Sequence, residues 1–97
     1  MFSEERRTRL IASLKKDPVP VSEVFFETVA DIRADMGTLE LRNESVDTQD
    51  RELLNEMDNL YSTIHLTDAN KAIDIMEVVF ALRDKYDALR FGTAVAV

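Results

Sequence analysis

Four carboxylates, Glu23, Glu27, Asp31 and Asp35, recur at intervals of four residues. On a helix this spacing sets them along one side. Like charges so placed oppose the helix by a few tenths of a kcal/mol per pair, so the row asks for a counter-charge. Three kinds would serve: the chain's own basic first helix, a basic patch on a partner, or a metal ion. Metal is the weakest of these. Carboxylate di-metal bundles draw ligands from several helices and add Glu-x-x-His pairs, and no such pair occurs here. The row reads either as a solvated helix face with Arg33 nearby or as the candidate site for a protein partner, and no metal or cofactor is expected.

Catalytic chemistry has little to work with. Cysteine is absent and His65 is the only histidine, which removes thiolate nucleophiles, thiolate metal sites and disulfides. No residues at diagnostic spacing accompany His65. Its expected role is packing or capping at a helix C-terminus, where imidazole can meet a free carbonyl. Asp47, Asp50 and Glu52 read as the acidic start of a helix, and the Asp-x-Asn-x-Asn-Gly pattern of a calcium loop is missing. Asn43-Glu44-Ser45 fits the glycosylation sequon, a pattern common by chance. No catalytic residue is assigned and the chain is read as a non-enzyme.

A second charged group lies at the start. Arg6, Arg9 and Lys16 share one face of a first helix, while Arg7 turns toward its apolar side. This face is an alternative contact surface for DNA or anionic lipid. No arm, glycine loop or aromatic stacking platform supports it. Nucleic acid is thus expected, if at all, only through residues 6–16.

The elements that carry these groups are helical. Residues 3–16 make a first helix capped by Ser3, with Leu10, Ile11 and Leu14 as its apolar face, and Asp17-Pro18-Val19-Pro20 ends it. A second helix is expected from near Ser22, with Phe25, Val29, Ile32 and Met36 at spacings of four, three and four. Gly37 either caps it or lies within it, and the alternation Thr38-Leu39-Glu40-Leu41 leaves room for a short extended piece. Residues 43–49 read as the longest loop. Val46 and Asp47 then open a third helix on the stripe Leu53, Met57, Leu60 and Ile64, widened by Leu54 and Tyr61.

Thr67 is the expected cap of a fourth helix running to Phe91, with Gly92 as its end. It bears two stripes: Ala72, Ile75, Val79, Leu82, Tyr86 and Leu89, and beside it Ala69, Ile73, Met76 and Phe80. Two stripes imply neighbours on two sides, so this helix is the expected centre of a bundle. The short junction at Leu66 and Thr67 implies that helices three and four run antiparallel. The fold class is all-α: a small four-helix bundle, or a helical hairpin with two shorter helices, either one able to dimerise. Residues 1–97 are read as one helical domain with 93–97 a flexible apolar tail.

Composition bounds the rest. The chain has 97 residues, 45% of them hydrophobic, and a formal charge of −7. Residues 1–16 carry a net +3, residues 17–68 a net −10, and residues 69–97 balance. The acidic whole disfavours nucleic-acid backbone and favours cationic partners. No uninterrupted apolar run suits a signal peptide or membrane span, so integral membrane association is not expected and a cytoplasmic location is. The leading functional expectation is a protein-binding adaptor or inhibitor that uses the acidic face and an adjacent apolar groove, with mimicry of nucleic-acid charge as its extreme form. The alternatives are a self-assembling structural subunit and a DNA-associated regulator that uses the basic first helix.

Overall fold

The computed structural model describes residues 1–91, which form four helices: α1 (Glu4–Lys16), α2 (Pro18–Leu41), α3 (Thr48–Ile64) and α4 (Ala69–Phe91). The Gly92 helix end and the 93–97 tail lie outside the described residues. No strand occurs among those described. The chain is a small all-α bundle.

Each helix has a local cause for its ends. The Ser3 hydroxyl accepts from the Arg6 N–H at 3.1 Å. Glu4 and Glu5 in the first turn and Lys15 and Lys16 in the last oppose the helix dipole at both ends. Asp17 then closes α1 and opens α2, since its N–H donates to the Ser13 carbonyl and its side chain accepts from the Val19 N–H at 3.1 Å. The second helix therefore begins four residues before the expected Ser22. The two prolines sit in its first turn, where N–H groups have no partner within the helix and nothing is lost by lacking them.

Gly37 neither caps nor breaks α2. Thr38 to Leu41 are helical, so the extended alternative is excluded. The actual stop is Asn43, with φ 61°, an angle that asparagine tolerates better than most residues. Its N–H donates to the Glu40 carbonyl at 3.0 Å and that of Glu44 to Leu39 at 2.9 Å, the paired bonds of a Schellman end.

Asp47 caps α3 as expected, accepting from the Gln49 N–H at 2.8 Å. The cap of α4 is Asp68, one residue beyond the expected Thr67, and it accepts from the Lys71 N–H at 3.0 Å. The Thr67 hydroxyl instead donates back to the Ile64 carbonyl at 3.2 Å.

Cross-helix contacts fix the directions. Asp50 at the start of α3 meets Lys85 and Tyr86 late in α4, so these helices are antiparallel. Asp35 late in α2 meets Arg90 at the end of α4, so these two are parallel. Arg7 of α1 meets Asp74 and Glu77 of α4. The α2–α4 pair is the spine, and α1 and α3 flank it. Phe25, Ile32 and Met36 of α2 pack with Ala72, Ile73, Met76 and Val79 of α4, all essentially inaccessible. Both α4 stripes are used, which makes it the central element, although Leu89 is 48% exposed.

The α3 stripe is displaced from its expected face. Leu54 and Tyr61 are completely buried, whereas Leu53, Met57 and Ile64 are half-buried and Leu60 is exposed. Leu54 follows Leu53, so the inward face is turned by roughly one residue step of 100°. The reason is tertiary. This helix docks on a pair already in contact, so only a narrow seam is offered to it.

Candidate protein-binding face

The four-residue row of acids does not stay on one face. A step of four residues advances about 400°, so each carboxylate drifts by about 40° and three steps carry the row through about 120°. Glu23, Glu27 and Asp31 are exposed, but Asp35 is only 3% exposed. Asp35 accepts a charged hydrogen bond from Arg90 Nη1 and ties α2 to α4. It belongs to a cleft that also holds Asp31, Arg83 and Asp87. Burial pushes the Asp87 carboxyl up, hydrogen bonding to and charge repulsion from Asp35 push it further, and Arg83 at 3.6 Å opposes both. This seam is a clamp between two helices; its charges are spent on one another.

The exposed acids are in a different state. None of the ion pairs among the described residues includes Glu23, Glu27 or Asp31, nor Arg6, Arg9, Lys15 or Lys16. The match between the basic first helix and the acidic row is thus not made within the chain. The residue of α1 that does pair is Arg7, which bonds Asp74 at 2.6 Å and Glu77 at 3.1 Å. Its pKa is raised, first by the hydrogen bond to Asp74. Arg6 covers the Phe2 ring at 4.5 Å and lies 5.8 Å from Phe80. Of the proposed basic face, Arg9 and Lys16 therefore stand open while Arg6 is partly engaged in packing.

Beside the acids lies an apolar surface that sequence periodicity does not reveal. Because α2 begins at Pro18, Val19 is helical and stands seven residues before Phe26, on the same flank, with Glu23 between them. Val19 is 58% exposed, Phe26 40% and Leu66 71%. With Pro18, Ser22 and His65 they line a shallow cleft of about 250 Å³ where the start of α2 meets the end of α3. The signal available in sequence is the Val19/Phe26 interval, which a helix start near Ser22 leaves outside the helix.

Packed aromatic rings lie beside this cleft. Tyr61 is fully buried and stacks on Phe25 with centroids 3.9 Å apart. Phe26 meets the Tyr61 ring edge-on at 5.7 Å. The His65 ring lies parallel to the same tyrosine at 5.1 Å, and its Nδ1 is 2.8 Å from the Tyr61 carbonyl oxygen. His65 thus packs and caps the end of α3. Buried Ser22 shares a 3.3 Å hydrogen bond with the Tyr61 hydroxyl, and burial raises the pKa of that phenol. No group of three or more His, Asp or Glu among the described residues is arranged to hold a metal ion. No helix among them is long and apolar enough to cross a membrane. Compared with protein-family models, with curated proteins and with solved structures, the chain matches none.

Proposed function

We propose that this protein is a non-enzymatic protein-binding module, an adaptor or inhibitor, whose contact face is the start of α2 and the end of α3. The observation that carries the reading is the adjacency of exposed Val19, Phe26 and Leu66 to exposed Glu23 and Glu27, which have no ion pair among the described residues. Apolar side chains supply affinity once a partner excludes water. Carboxylates at the rim steer a basic partner and restrict its orientation. Asp31, also exposed, lines the α2–α4 cleft with Asp35, Arg83 and Asp87 instead. Asp35 drops out of the proposed face because it is committed to Arg90.

The test is recovery of the protein from its native host with intact mass and stoichiometry of any complex. Val19→Ser with Leu66→Ser is expected to abolish recovery while the helical circular dichroism is retained, and Glu23→Lys with Glu27→Lys to weaken it. A specific complex that survives both pairs of changes would refute this face.

A further inference from the structure

The protein-binding reading names a face but not its occupant, and the surface around that face restricts the choice. Two shallow clefts adjoin at this end of the bundle, and they share Pro18, His65 and Leu66. The far wall of one is formed by Glu23 and Phe26, and the far wall of the other holds Lys15. Across the surface the order is therefore base, apolar centre, acid. Lys16 adjoins Lys15, and Glu27 stands one turn beyond Glu23; all four side chains are exposed and none joins an ion pair among the described residues. Asp17 and Asp68, also at this end, are held in place as helix caps by backbone N–H groups and keep their charge.

A patch ordered in this way is complementary to itself. A two-fold axis through its apolar centre sets the Lys15 side of one copy against the Glu23 side of another, twice, which is the arrangement an isologous dimer requires. The same rotation brings Leu66 of the two copies together and sets Val19 and Phe26 of each against the Leu14 and Lys15 side of the other. We propose that the occupant of this face is a second copy of the chain, in a two-fold dimer held by Val19, Phe26 and Leu66 and registered by Lys15 and Lys16 against Glu23 and Glu27. This rests on the protein-binding reading of the same face. The patch is small beside a standard interface, so the dimer is weak and its population depends on concentration.

Sedimentation equilibrium of the intact chain, across micromolar to low millimolar concentrations, tests the idea. The native protein is expected to pass from monomer to dimer in this range. Lys15→Glu with Lys16→Glu makes the whole rim acidic, and Glu23→Lys with Glu27→Lys makes it basic. Either pair of changes is expected to weaken the dimer roughly tenfold or more, since each contact is met twice. All four changes together restore the complementary order and are expected to restore dimerisation; folding is checked in every variant by circular dichroism. A native protein that stays monomeric throughout, or a four-fold variant no better than either two-fold variant, would overturn the proposal. If the monomer nonetheless captures a different protein through Val19 and Leu66, the dimer is refuted and the binding face stands. If neither self-association nor capture depends on these residues, both readings fail.

Discussion

Replacing Tyr86 by phenylalanine removes one oxygen from the centre of a small network, and its cost follows from the geometry. Tyr86 is 1% exposed, and its hydroxyl donates to Asp50 Oδ2 at 2.6 Å. Lys85 Nζ donates to the same oxygen at 2.6 Å. The Lys85 hydrogen bond, and after it that of Tyr86, hold Asp50 below the ordinary carboxylate range. Burial, then Asp50, pushes the phenol up to about 12. A hydrogen bond to a charged group is worth about 1.5–3 kcal/mol. Asp50 keeps Lys85 and some solvent access in the variant, so a loss near the lower end, about 1.5 kcal/mol, is expected. In urea this lowers the unfolding midpoint by roughly 1 M for a domain of this size.

The pH dependence of that difference makes the test specific. Tyr86 has a raised pKa, so its contribution is whole below the ordinary value of 10.0 and is lost as pH rises through about 12. Asp50 has a lowered pKa, so its contribution is whole above the ordinary 3.8 and is lost as pH falls through the folded value. The gap between native and Tyr86→Phe protein is therefore widest near neutrality, shrinks in acid, and closes as pH climbs from 10.0 to about 12. Equal midpoints at neutral pH, or a gap that persists unchanged at the alkaline end, would refute the network.

Three further outcomes are expected from urea or thermal unfolding. A Cβ built on Gly37 meets nothing within 4 Å, so Gly37→Ala should stabilise the protein by about 1 kcal/mol, the helix-propensity difference. At the α2–α4 clamp, Arg90→Ala strands the buried Asp35 and should cost about 3 kcal/mol, whereas Asp35→Ala leaves an arginine with 36% side-chain exposure that can turn to water and should cost less. At the start of α4, Asp68→Ala should cost about 1 kcal/mol and Thr67→Ala little, because only Asp68 accepts a first-turn N–H.

Much of this fold was legible in the sequence because helices are written locally. Ser3 and Asp47 cap where their residue types place them. The double stripe of α4 marked it as central, since two apolar faces need two sets of neighbours. Elsewhere, local signals were open to two readings. Pro18 and Pro20 stop α1 and also suit the first turn of α2, and only the Asp17 cap decided that both apply. Thr67 and Asp68 are both good caps, and the path of the chain selected Asp68. In α3 the pattern made Leu53, Met57, Leu60 and Ile64 the stripe, with Leu54 and Tyr61 only widening it. Docking on the α2–α4 pair buries Leu54 and stacks Tyr61 on Phe25.

The candidate site divides in the same way. By itself the sequence determined four helices, their caps to within a few residues, a basic start and an acidic row at a four-residue interval. It could not determine where that row faced, because 400° per step is not a whole number of turns, and a drift that looks small along one helix becomes decisive beside a neighbour. Tertiary structure left Glu23 and Glu27 in solvent, drew Asp35 into the seam with Arg90, and gave Arg7 rather than Arg6 or Arg9 the internal ion pairs. It also brought Val19, Phe26 and Leu66, up to 47 residues apart in the chain, onto one surface. Spacing along a chain fixes which side of a helix a residue occupies; what lies opposite that side is set only when the helices pack.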